Sequence, residues 1–385
     1  MRPYYEDGSV TIYHGDCREV LPAIEGVETC ITDPPYGLSF MGKGWDHAVP
    51  DESYWRRVAA ALKPGASVLA FGGTRLWHWL TVGMERGGLE IRDCLMWLYG
   101  SGFPKSLDIS KAIDKAAGVE FSEHPAEGVG FMRPDGRGGY NVTKHQLRRE
   151  GDSTEAAKLW NGWGTALKPA WEPIVLAMKP LDGTFAQNAL EHGVAGLNVD
   201  GARIGTDEVA SGNGALGRNA YGRMDRDPST IGVSYGRWPA NLVLDEDAAA
   251  MLDEQSGERT SGRFPSNTGG IGTASGIYGD APGREQVPRT MDSGGASRFF
   301  YTAKASRSDR GEGNDHPTVK PSDLMKWLVT LTATPTGGTV LDPFMGSGTT
   351  VYAAKEMGRK AIGIELDEQW CEVAAQRCSQ EVLAL

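Results

Sequence analysis

The segment Asp33-Pro34-Pro35-Tyr36 places a carboxylate and an aromatic ring directly after an apolar run at 28–32. Two successive prolines cannot donate to a strand ladder, so a strand over that run must end here. Asp33 is then held at the carboxyl edge of the strand, and Tyr36 projects from a rigid turn. Ligands of open α/β sheets bind at this edge. The segment therefore predicts a ligand site; a plain turn anchored by Tyr36 is the alternative.

A second pattern lies near the other end of the chain, where an apolar strand runs into the glycine-rich turn 342–350 and then into a helix. Gly346 and Gly348 let a ligand approach backbone amides at the helix N-terminus. The turn lacks the lysine of a phosphate-binding loop, and Val351 breaks the glycine spacing of a dinucleotide fold. Glu365 ends the next predicted strand, where a carboxylate suits a ribose diol. A plain strand, turn and helix is the alternative.

Both patterns need a sheet to hold them, and the rest of the chain predicts one. Short apolar runs, several of them continuous as in parallel sheets, alternate with helical patterns, which is typical of the α/β class. The predicted strands are 10–13, 28–32, 67–71, 91–98, 173–178, 339–341 and 361–364. The predicted helices are 53–62, 321–331, 349–357 and 367–383.

Composition narrows the class of protein. The 385 residues carry a net charge of −11, which argues against coating nucleic acid through bulk charge but leaves room for a local basic cleft. The sequence has no apolar run of membrane-helix length and no signal-peptide core at its start, so a cytoplasmic location is predicted. The five cysteines never form a C-x-x-C pair, so we predict neither disulfides nor a metal site.

Two polar stretches interrupt the α/β pattern. One is 101–163, and the other is 201–300, which holds 18 of the 52 glycines. Both are longer than ordinary connections, as functional loops or disordered segments are. Residues 131–150 and 284–310 each carry a local charge of +3 in an otherwise acidic chain. Solvated loop charge without a partner is the alternative to a binding role.

Four motifs in a fixed order resemble the amino-group DNA methyltransferases, which use S-adenosylmethionine. They are Asp33-Pro34-Pro35-Tyr36, the block 316–321, the loop 342–350 and the strand end at Glu365. The catalytic motif precedes the cofactor loop, as in the circularly permuted β group of that family. Segments 41–46, 166–173 and 237–241 resemble phage and prophage members. The resemblance extends over roughly 1–100, 165–200, 237–245 and 298–385.

The resemblance implies a doubly wound, mostly parallel, seven-stranded Rossmann-like methyltransferase sheet that is circularly permuted and carries long loop-rich inserts. Reading the predicted strands from 339–341 through 361–364, and then across the termini, recovers its strand order. The chain ends are therefore expected near each other on the surface. The implied division is 1–100 as the catalytic half, 101–163 as an insert with a DNA contact, 164–200 as a return to the sheet, 201–297 as the target-recognition insert and 298–385 as the cofactor-binding half.

The resemblance also implies S-adenosyl-L-methionine as cofactor, with Glu365 on its ribose, Asp16 on its adenine amino group, and Thr318 and Lys320 on its methionine carboxylate. A surface aspartate and a solvated lysine are the alternatives at positions 16 and 320. The implied cofactor contacts are Asp16, Cys17, Thr318, Lys320, Asp342, Pro343, Phe344, Gly346, Ser347, Gly348, Thr349, Thr350, Glu365 and Leu366.

The implied catalytic residues are Asp33, Pro34, Pro35 and Tyr36. The lone pair of an exocyclic amine is delocalised into the base, so the site must draw electron density back onto nitrogen. The Asp33 carboxylate and the Pro34 carbonyl can accept the two amino hydrogens. Tyr36 supplies a stacking face for a base flipped out of the duplex. The absence of a Pro-Cys pair argues against the covalent chemistry of cytosine-C5 enzymes.

The resemblance implies adenine N6 as the target, because members of the family with aspartate at the position of Asp33 mostly methylate adenine N6 and those with serine mostly cytosine N4, which is the first alternative. RNA modification, a catalytically inactive DNA-binding relative and a nicotinamide dehydrogenase are weaker alternatives. The implied partner is double-stranded DNA in a bacterial or phage-infected cell, with no membrane partner; a homodimer is left open. The DNA contacts are predicted at Lys43, Arg203, Arg218, Arg223, Arg289 and Arg298.

Overall fold

The computed structural model describes residues 2–37, 48–102, 106–119, 122–125, 147–150, 153–210, 233–260, 293–304 and 319–379. The chain divides into two compact units, Met1–Gly100 with Trp171–Leu385 and, separately, Ser101–Ala170. Within the described ranges, no helix is both long enough and apolar enough to cross a membrane.

The helices and strands alternate along most of the larger unit. The strands are β1 (Tyr5–Glu6), β2 (Val10–His14), β3 (Val27–Thr32), β4 (Leu62–Phe71), β5 (Glu90–Leu98), β6 (Ser122–Pro125), β7 (Leu147–Glu150), β8 (Trp171–Met178), β9 (Ile204–Ala210), β10 (Val233–Arg237), β11 (Leu242–Asp245), β12 (Arg259–Thr260), β13 (Ser293–Gly294), β14 (Tyr301–Ala303), β15 (Thr339–Asp342) and β16 (Lys360–Glu365). The α-helices are α1 (Cys17–Val20), α2 (Glu52–Ala61), α3 (Trp77–Arg86), α4 (Ile109–Ala116), α5 (Glu155–Leu159), α6 (Phe185–His192), α7 (Glu246–Ser256), α8 (Ser322–Leu331), α9 (Thr349–Glu356) and α10 (Glu368–Ser379).

Ten strands form one sheet in the order β1-β2-β16-β15-β3-β4-β8-β5-β11-β14. The pairs from β2 to β4 are parallel, β8 runs antiparallel to both of its neighbours, and β5, β11 and β14 are parallel again. The seven predicted strands are β2, β16, β15, β3, β4, β8 and β5, which are consecutive in this order. The predicted fold class is therefore confirmed.

Three short strands of the sheet, the edge strands β1 and β14 and the adjacent β11, lie outside the sequence-based prediction. β1 has two residues, β11 has four and β14 has three, and such short runs carry too little periodicity to be recognised. β11 and the helix α7 that follows it fall inside 201–297, which the sequence presents as a single insert. The structure thus places part of that stretch in the main sheet.

Both faces of the sheet are covered, as the continuous apolar strands predict. On β4, Leu69 and Phe71 join a core that includes residues of α8, α9 and α10. The alternating residues Val68 and Ala70 join a second core that includes residues of α1, α2 and α3. Strands buried on both faces need apolar residues at every position, because side chains alternate across the sheet.

The amino-terminal strands lie against the carboxyl-terminal helices, as the permuted order predicts. β2 pairs with β16 in parallel. The Tyr4 hydroxyl donates to Glu372 Oε2 of α10 at 2.9 Å, and Lys355 Nζ of α9 donates to Asp7 Oδ2 at 2.6 Å. These contacts join segments about 350 residues apart in sequence and complete the sheet across the two ends of the chain.

In the smaller unit, α4 and α5 are joined through a buried carboxylate. Asp114 of α4 accepts hydrogen bonds from the backbone N–H of Thr154 at 3.0 Å and from its hydroxyl at 2.9 Å. The same hydroxyl caps α5 by accepting from Ala157 N. Trp160 and Trp163, just after α5, pack edge to face and remain exposed.

Candidate active site

Three neighbouring strands end in carboxylates at one edge of the sheet. Asp33 follows β3, Asp342 ends β15 and Glu365 ends β16, and the sheet order is β16-β15-β3. All three side chains line a cavity of about 930 Å³, a volume within the usual range for small-molecule sites. Parallel strands bring their carboxyl ends to the same edge, which is why residues more than 300 positions apart meet here.

Asp33 lines this cavity and is held by Tyr36, which lies behind it and outside the lining. The Tyr36 hydroxyl donates to Asp33 Oδ1 at 2.8 Å and lies 3.2 Å from Glu172 Oε2. Burial, followed by the Asp33 and Glu172 carboxylates, raises the pKa of Tyr36 well above its usual value, so the phenol keeps its proton. A Cβ on Gly73 would approach the Tyr36 ring to 3.2 Å, so glycine at that position leaves room for the ring. The turn therefore fixes the direction of the Asp33 carboxylate.

Lys320, just before α8, lies between two carboxylates. Its Nζ donates to Asp33 Oδ2 at 2.6 Å and lies 3.5 Å from Glu172 Oε2. The ammonium also stands 4.9 Å from the centre of the Phe71 ring. Burial alone would lower the pKa of Lys320, but Asp33 and Glu172 outweigh it and raise that pKa above its ordinary value. Lys320 is therefore charged at neutral pH.

Asp342 connects the glycine-rich turn to β3, the strand that precedes Asp33. Its Oδ1 accepts from the Thr32 hydroxyl at 2.7 Å and from Phe344 N at 3.1 Å. The side chain is buried, and burial raises its pKa to about 6 despite these hydrogen bonds and one from Thr350. Ionisation of Asp342 is therefore unfavourable, because the charged carboxylate is buried at the end of β15.

Glu365 holds the same turn from the neighbouring strand. Its Oε2 accepts from Gly346 N at 2.8 Å, and its Oε1 accepts from Asp367 N at 2.9 Å. Burial raises the pKa of Glu365, although these backbone N–H groups oppose the shift. Each carboxylate oxygen has a second lone pair, so both can also accept from a ligand hydroxyl.

The amino terminus of α9 faces the cavity without a side-chain cap. Its N-cap is Gly348, which has φ +82° and makes no side-chain capping hydrogen bond, and Ser347, Thr349 and Thr350 line the cavity. A Cβ on Gly348 would meet Ala374 Cβ of α10 at 2.6 Å, so this glycine serves the turn and the helix packing. The first N–H groups of an uncapped helix attract an anionic ligand group.

Asp16 and Cys17 also line the cavity. Asp16 caps α1 through Arg18 N, and the Arg18 guanidinium holds the pKa of Asp16 below its ordinary value. The Cys17 thiol donates to the Tyr54 hydroxyl, and burial raises the pKa of Cys17 to about 12, so the thiol is not a nucleophile at neutral pH. Tyr54 in turn stacks on Phe344 with ring centres 4.8 Å apart.

The cavity brings together most of the residues predicted to bind the cofactor. Carboxylates for hydroxyl and amino groups, an uncapped helix terminus for a carboxylate and the aromatic pair Tyr54–Phe344 form a donor and acceptor set that fits S-adenosylmethionine. Thr318 lies outside the described residues. Gly348 does not line the cavity and instead packs closely against Ala374 of α10. The predicted cofactor contacts that line the cavity are Asp16, Cys17, Lys320, Asp342, Pro343, Phe344, Gly346, Ser347, Thr349, Thr350, Glu365 and Leu366.

The predicted DNA contacts are placed less directly. Lys43, Arg218, Arg223 and Arg289 lie outside the described residues. The Arg298 guanidinium donates to the carbonyls of Gly294 and Gly295 at 2.6 Å each and to Arg259 O at 3.0 Å. Arg298 comes just before β14, so it lies at the opposite end of the strands from Asp33.

Arg203 lies at the same end of the strands as Arg298. Its guanidinium binds Asp200 Oδ1 at 2.8 Å and stands 5.7 Å from the ring centre of Trp238, which is 67% exposed. Trp238 comes just before β11, and the carboxyl end of β11 lies at the end of the sheet that carries Asp33. Arg203 and Arg298 are therefore separated from Asp33 by the length of the strands.

Two residues that contact the site were not identified by the sequence analysis. Glu172 belongs to a segment that carries the family resemblance, yet only its contacts with Tyr36 and Lys320 indicate a role. Arg377 of α10 is buried and donates to Ser347 O at 2.8 Å, so it supports the glycine-rich turn from below. Neither residue shows a local pattern that could have identified it.

Comparison with known proteins identifies a family to which most of the chain is similar. A model of the N6/N4 DNA methylase family matches residues 27–376. The type II methyltransferase M2.DpnII of Streptococcus pneumoniae is 32% identical over 93 residues, which are 24% of this chain and 34% of that protein. M2.LlaDCHI of Lactococcus lactis subsp. cremoris is 30% identical over 95 residues, which are 25% and 35% of the two chains. This chain thus spans about a third of the length of the curated relatives that it matches.

One solved structure also aligns over nearly the whole chain. It is the PvuII DNA methyltransferase, described as cytosine-N4-specific, with 13% identity over 100% of this chain and 91% of that one and a TM-score of 0.46.

Proposed function

This chain belongs to the N6/N4 DNA methylase family, and we propose that it transfers a methyl group from S-adenosyl-L-methionine to an exocyclic amino group of a base in double-stranded DNA. The observation that carries this proposal is the position of Asp33 at the wall of the same cavity as Glu365 and the uncapped end of α9. One cavity then serves both the cofactor and the reacting amine.

The chemistry follows from what an amino nitrogen needs. S-adenosylmethionine, when bound, supplies an electrophilic methyl group. The Asp33 carboxylate and the Pro34 carbonyl accept the two N–H groups and return electron density to the nitrogen. The lone pair of that nitrogen forms the new N–C bond, the electron pair of the S–C bond stays on sulfur, and one N–H proton leaves through Asp33. Tyr36 orients Asp33 through its 2.8 Å hydrogen bond and supplies a ring for the extruded base.

We propose adenine N6 as the target rather than cytosine N4. The support is aspartate at position 33, since the resemblance associates serine at this position mostly with cytosine N4. Both amines need the same pair of acceptors, so the geometry around Asp33 suits either base. The identity of the methylated nucleoside distinguishes adenine N6 from cytosine N4.

The decisive experiment uses tritiated S-adenosylmethionine and duplex DNA, followed by digestion to nucleosides. We expect label on deoxyadenosine. Label on deoxycytidine would overturn the choice of adenine but keep the enzyme class. Unlabelled DNA would support a binding protein that lacks activity.

We also propose that 201–297, assisted by 101–163, reads the DNA sequence. A methyltransferase sheet provides cofactor and chemistry, so base contacts must come from residues outside its strands, which in 201–297 means all but β11. Replacing Arg218, Arg223 and Arg289 together with glutamine is expected to flatten the slope of log affinity against log salt by about 2 to 3, because each phosphate contact contributes about 0.9. Arg298 is left intact because its guanidinium supports backbone carbonyls.

The salt dependence would be measured by fluorescence anisotropy with labelled duplex DNA. The matched control is Arg92→Gln, which removes an exposed arginine that pairs with Glu90 on β5. An unchanged slope in the triple variant would reject the proposed DNA contacts.

A further inference from the structure

Glu172 reaches the catalytic edge because β8 runs against its neighbours. The other strands around Asp33 present their carboxyl ends at this edge, whereas β8 presents its beginning. Glu172 is the second residue of β8 and pairs in register with Trp97 near the end of β5. A strand start therefore contributes a carboxylate to an edge that is otherwise built from strand ends.

The charges around Asp33 do not balance. Lys320 Nζ lies 2.6 Å from Asp33 Oδ2 and 3.5 Å from Glu172 Oε2. The side chains are 10% exposed for Lys320, 22% for Asp33 and 24% for Glu172, so solvent screens them only in part. One ammonium therefore serves two carboxylates, and the group of three carries a net charge of −1 when all are ionised. The Tyr36 hydroxyl, which has a single proton, lies between the same two carboxylates.

The proposed reaction needs that remaining negative charge. Methyl transfer to an amino nitrogen leaves a positive charge on the nitrogen until a proton departs. A salt-bridged pair of Asp33 and Lys320 alone would be neutral and would stabilise this charge poorly. A second carboxylate on Lys320 leaves Asp33 as a net acceptor toward the amine.

We propose that Glu172 is a positioning residue of the methyl-transfer reaction, which acts through Lys320 and Tyr36 to keep Asp33 available to the amine. The inference rests on the proposed function and deepens it. Glu172 itself is not required to touch the base, since its contacts are with Lys320 and Tyr36. The raised pKa of Lys320 agrees with this arrangement, because two carboxylates outweigh the effect of its burial.

The test is Glu172→Gln, which removes the charge but keeps the size and an acceptor oxygen for Tyr36. The single-turnover rate of methyl transfer, with enzyme in excess, is expected to fall about 10- to 100-fold, as for loss of a charged partner. Calorimetric affinity for S-adenosylhomocysteine and the thermal midpoint are expected to remain those of the wild type. Glu172→Asp is expected to recover part of the rate. Glu90→Gln, at the far end of the β5–β8 pair, is the matched control and should keep the wild-type rate.

A double-mutant cycle with Lys320→Met separates positioning from a general structural effect. Because Glu172 acts through Lys320 as well as Tyr36, Glu172→Gln should change the rate clearly less in the Lys320→Met background than in the wild type. The inference is wrong if the two losses multiply, or if Glu172→Gln alone keeps the wild-type rate. It is also wrong if both substitutions at position 172 unfold the protein or abolish binding of S-adenosylhomocysteine. Unlabelled DNA with the wild type would reject the proposed function itself, which is a different outcome from any of these.

Discussion

Asp33→Ala is expected to lower the rate of methyl transfer by about a thousandfold or more, because it removes an acceptor aimed at the reacting amine. The variant should still fold. Lys320 keeps Glu172 as a carboxylate partner 3.5 Å away, so the substitution leaves no buried cation without a counter-charge. Most residues proposed to hold the cofactor belong to β15, β16 and the start of α9, which Asp33 does not form. Lys320, a proposed cofactor residue that Asp33 does contact, keeps Glu172 as its partner. Affinity for S-adenosylmethionine should therefore change by less than about twofold.

Single-turnover labelling of DNA would give the rate of this variant, and calorimetry with S-adenosylhomocysteine would give its affinity. Asp182→Ala serves as the control, because Asp182 is an exposed carboxylate of the same unit near α6. Asp33→Asn adds a further comparison, since its amide keeps one acceptor oxygen but not the charge. Equal losses of rate and of cofactor affinity in Asp33→Ala would mean that Asp33 is structural, contrary to the proposed mechanism.

The parts of this fold that sequence reasoning could predict are those with a local signal. Apolar runs predicted seven strands of the sheet, and the family resemblance supplied their order. The positions of Asp33 and Glu365 followed from their motifs, because a parallel strand that ends in such a residue ends at the ligand edge. The turn before α9 was recognisable because glycines, an aspartate and a following helix adjoin in sequence. Residues that act within their own motif can be predicted in this way.

The remaining features depend on contacts between distant segments. Lys320 and Asp33 are 287 positions apart, and no pattern around Lys320 shows that its ammonium lies between two carboxylates. Glu172 lies at the start of a strand, whereas the rule for parallel sheets predicts ligand sites at the carboxyl ends of strands. β11 and β14 are too short to show periodicity, so their place in the sheet depends on tertiary pairing. The hydrogen bond from Arg298 to Arg259 O likewise joins distant segments and has no local signal in the sequence, and the DNA contact of Arg298 stays a prediction.

Asp342→Asn is expected to make the protein more stable at neutral pH while weakening its cofactor site. Burial raises the pKa of Asp342 to about 6, above the usual value of 3.8, so the folded state binds the proton more tightly than the unfolded chain does. The resulting stabilisation is present below the unfolded pKa and is lost as pH rises through about 6. Above that pH, ionised Asp342 lowers the free energy of unfolding by roughly 3 kcal/mol.

Asparagine retains an oxygen for the hydrogen bonds from Thr32 and Phe344 but carries no charge. In urea titrations the variant should therefore match the wild type near pH 4 and exceed its free energy of unfolding by up to about 3 kcal/mol near pH 8. Affinity for the cationic S-adenosylmethionine should fall by about tenfold or more, because a charged partner is lost.

Asp182→Asn, at an exposed position, is the control and should show no such pH-dependent gain in the free energy of unfolding. A stability difference that stays constant from pH 4 to pH 8 would show that Asp342 does not titrate in this range. A gain in stability together with a loss of cofactor affinity would identify Asp342 as a residue kept for function at the expense of stability, as expected where a carboxylate is buried at a binding site.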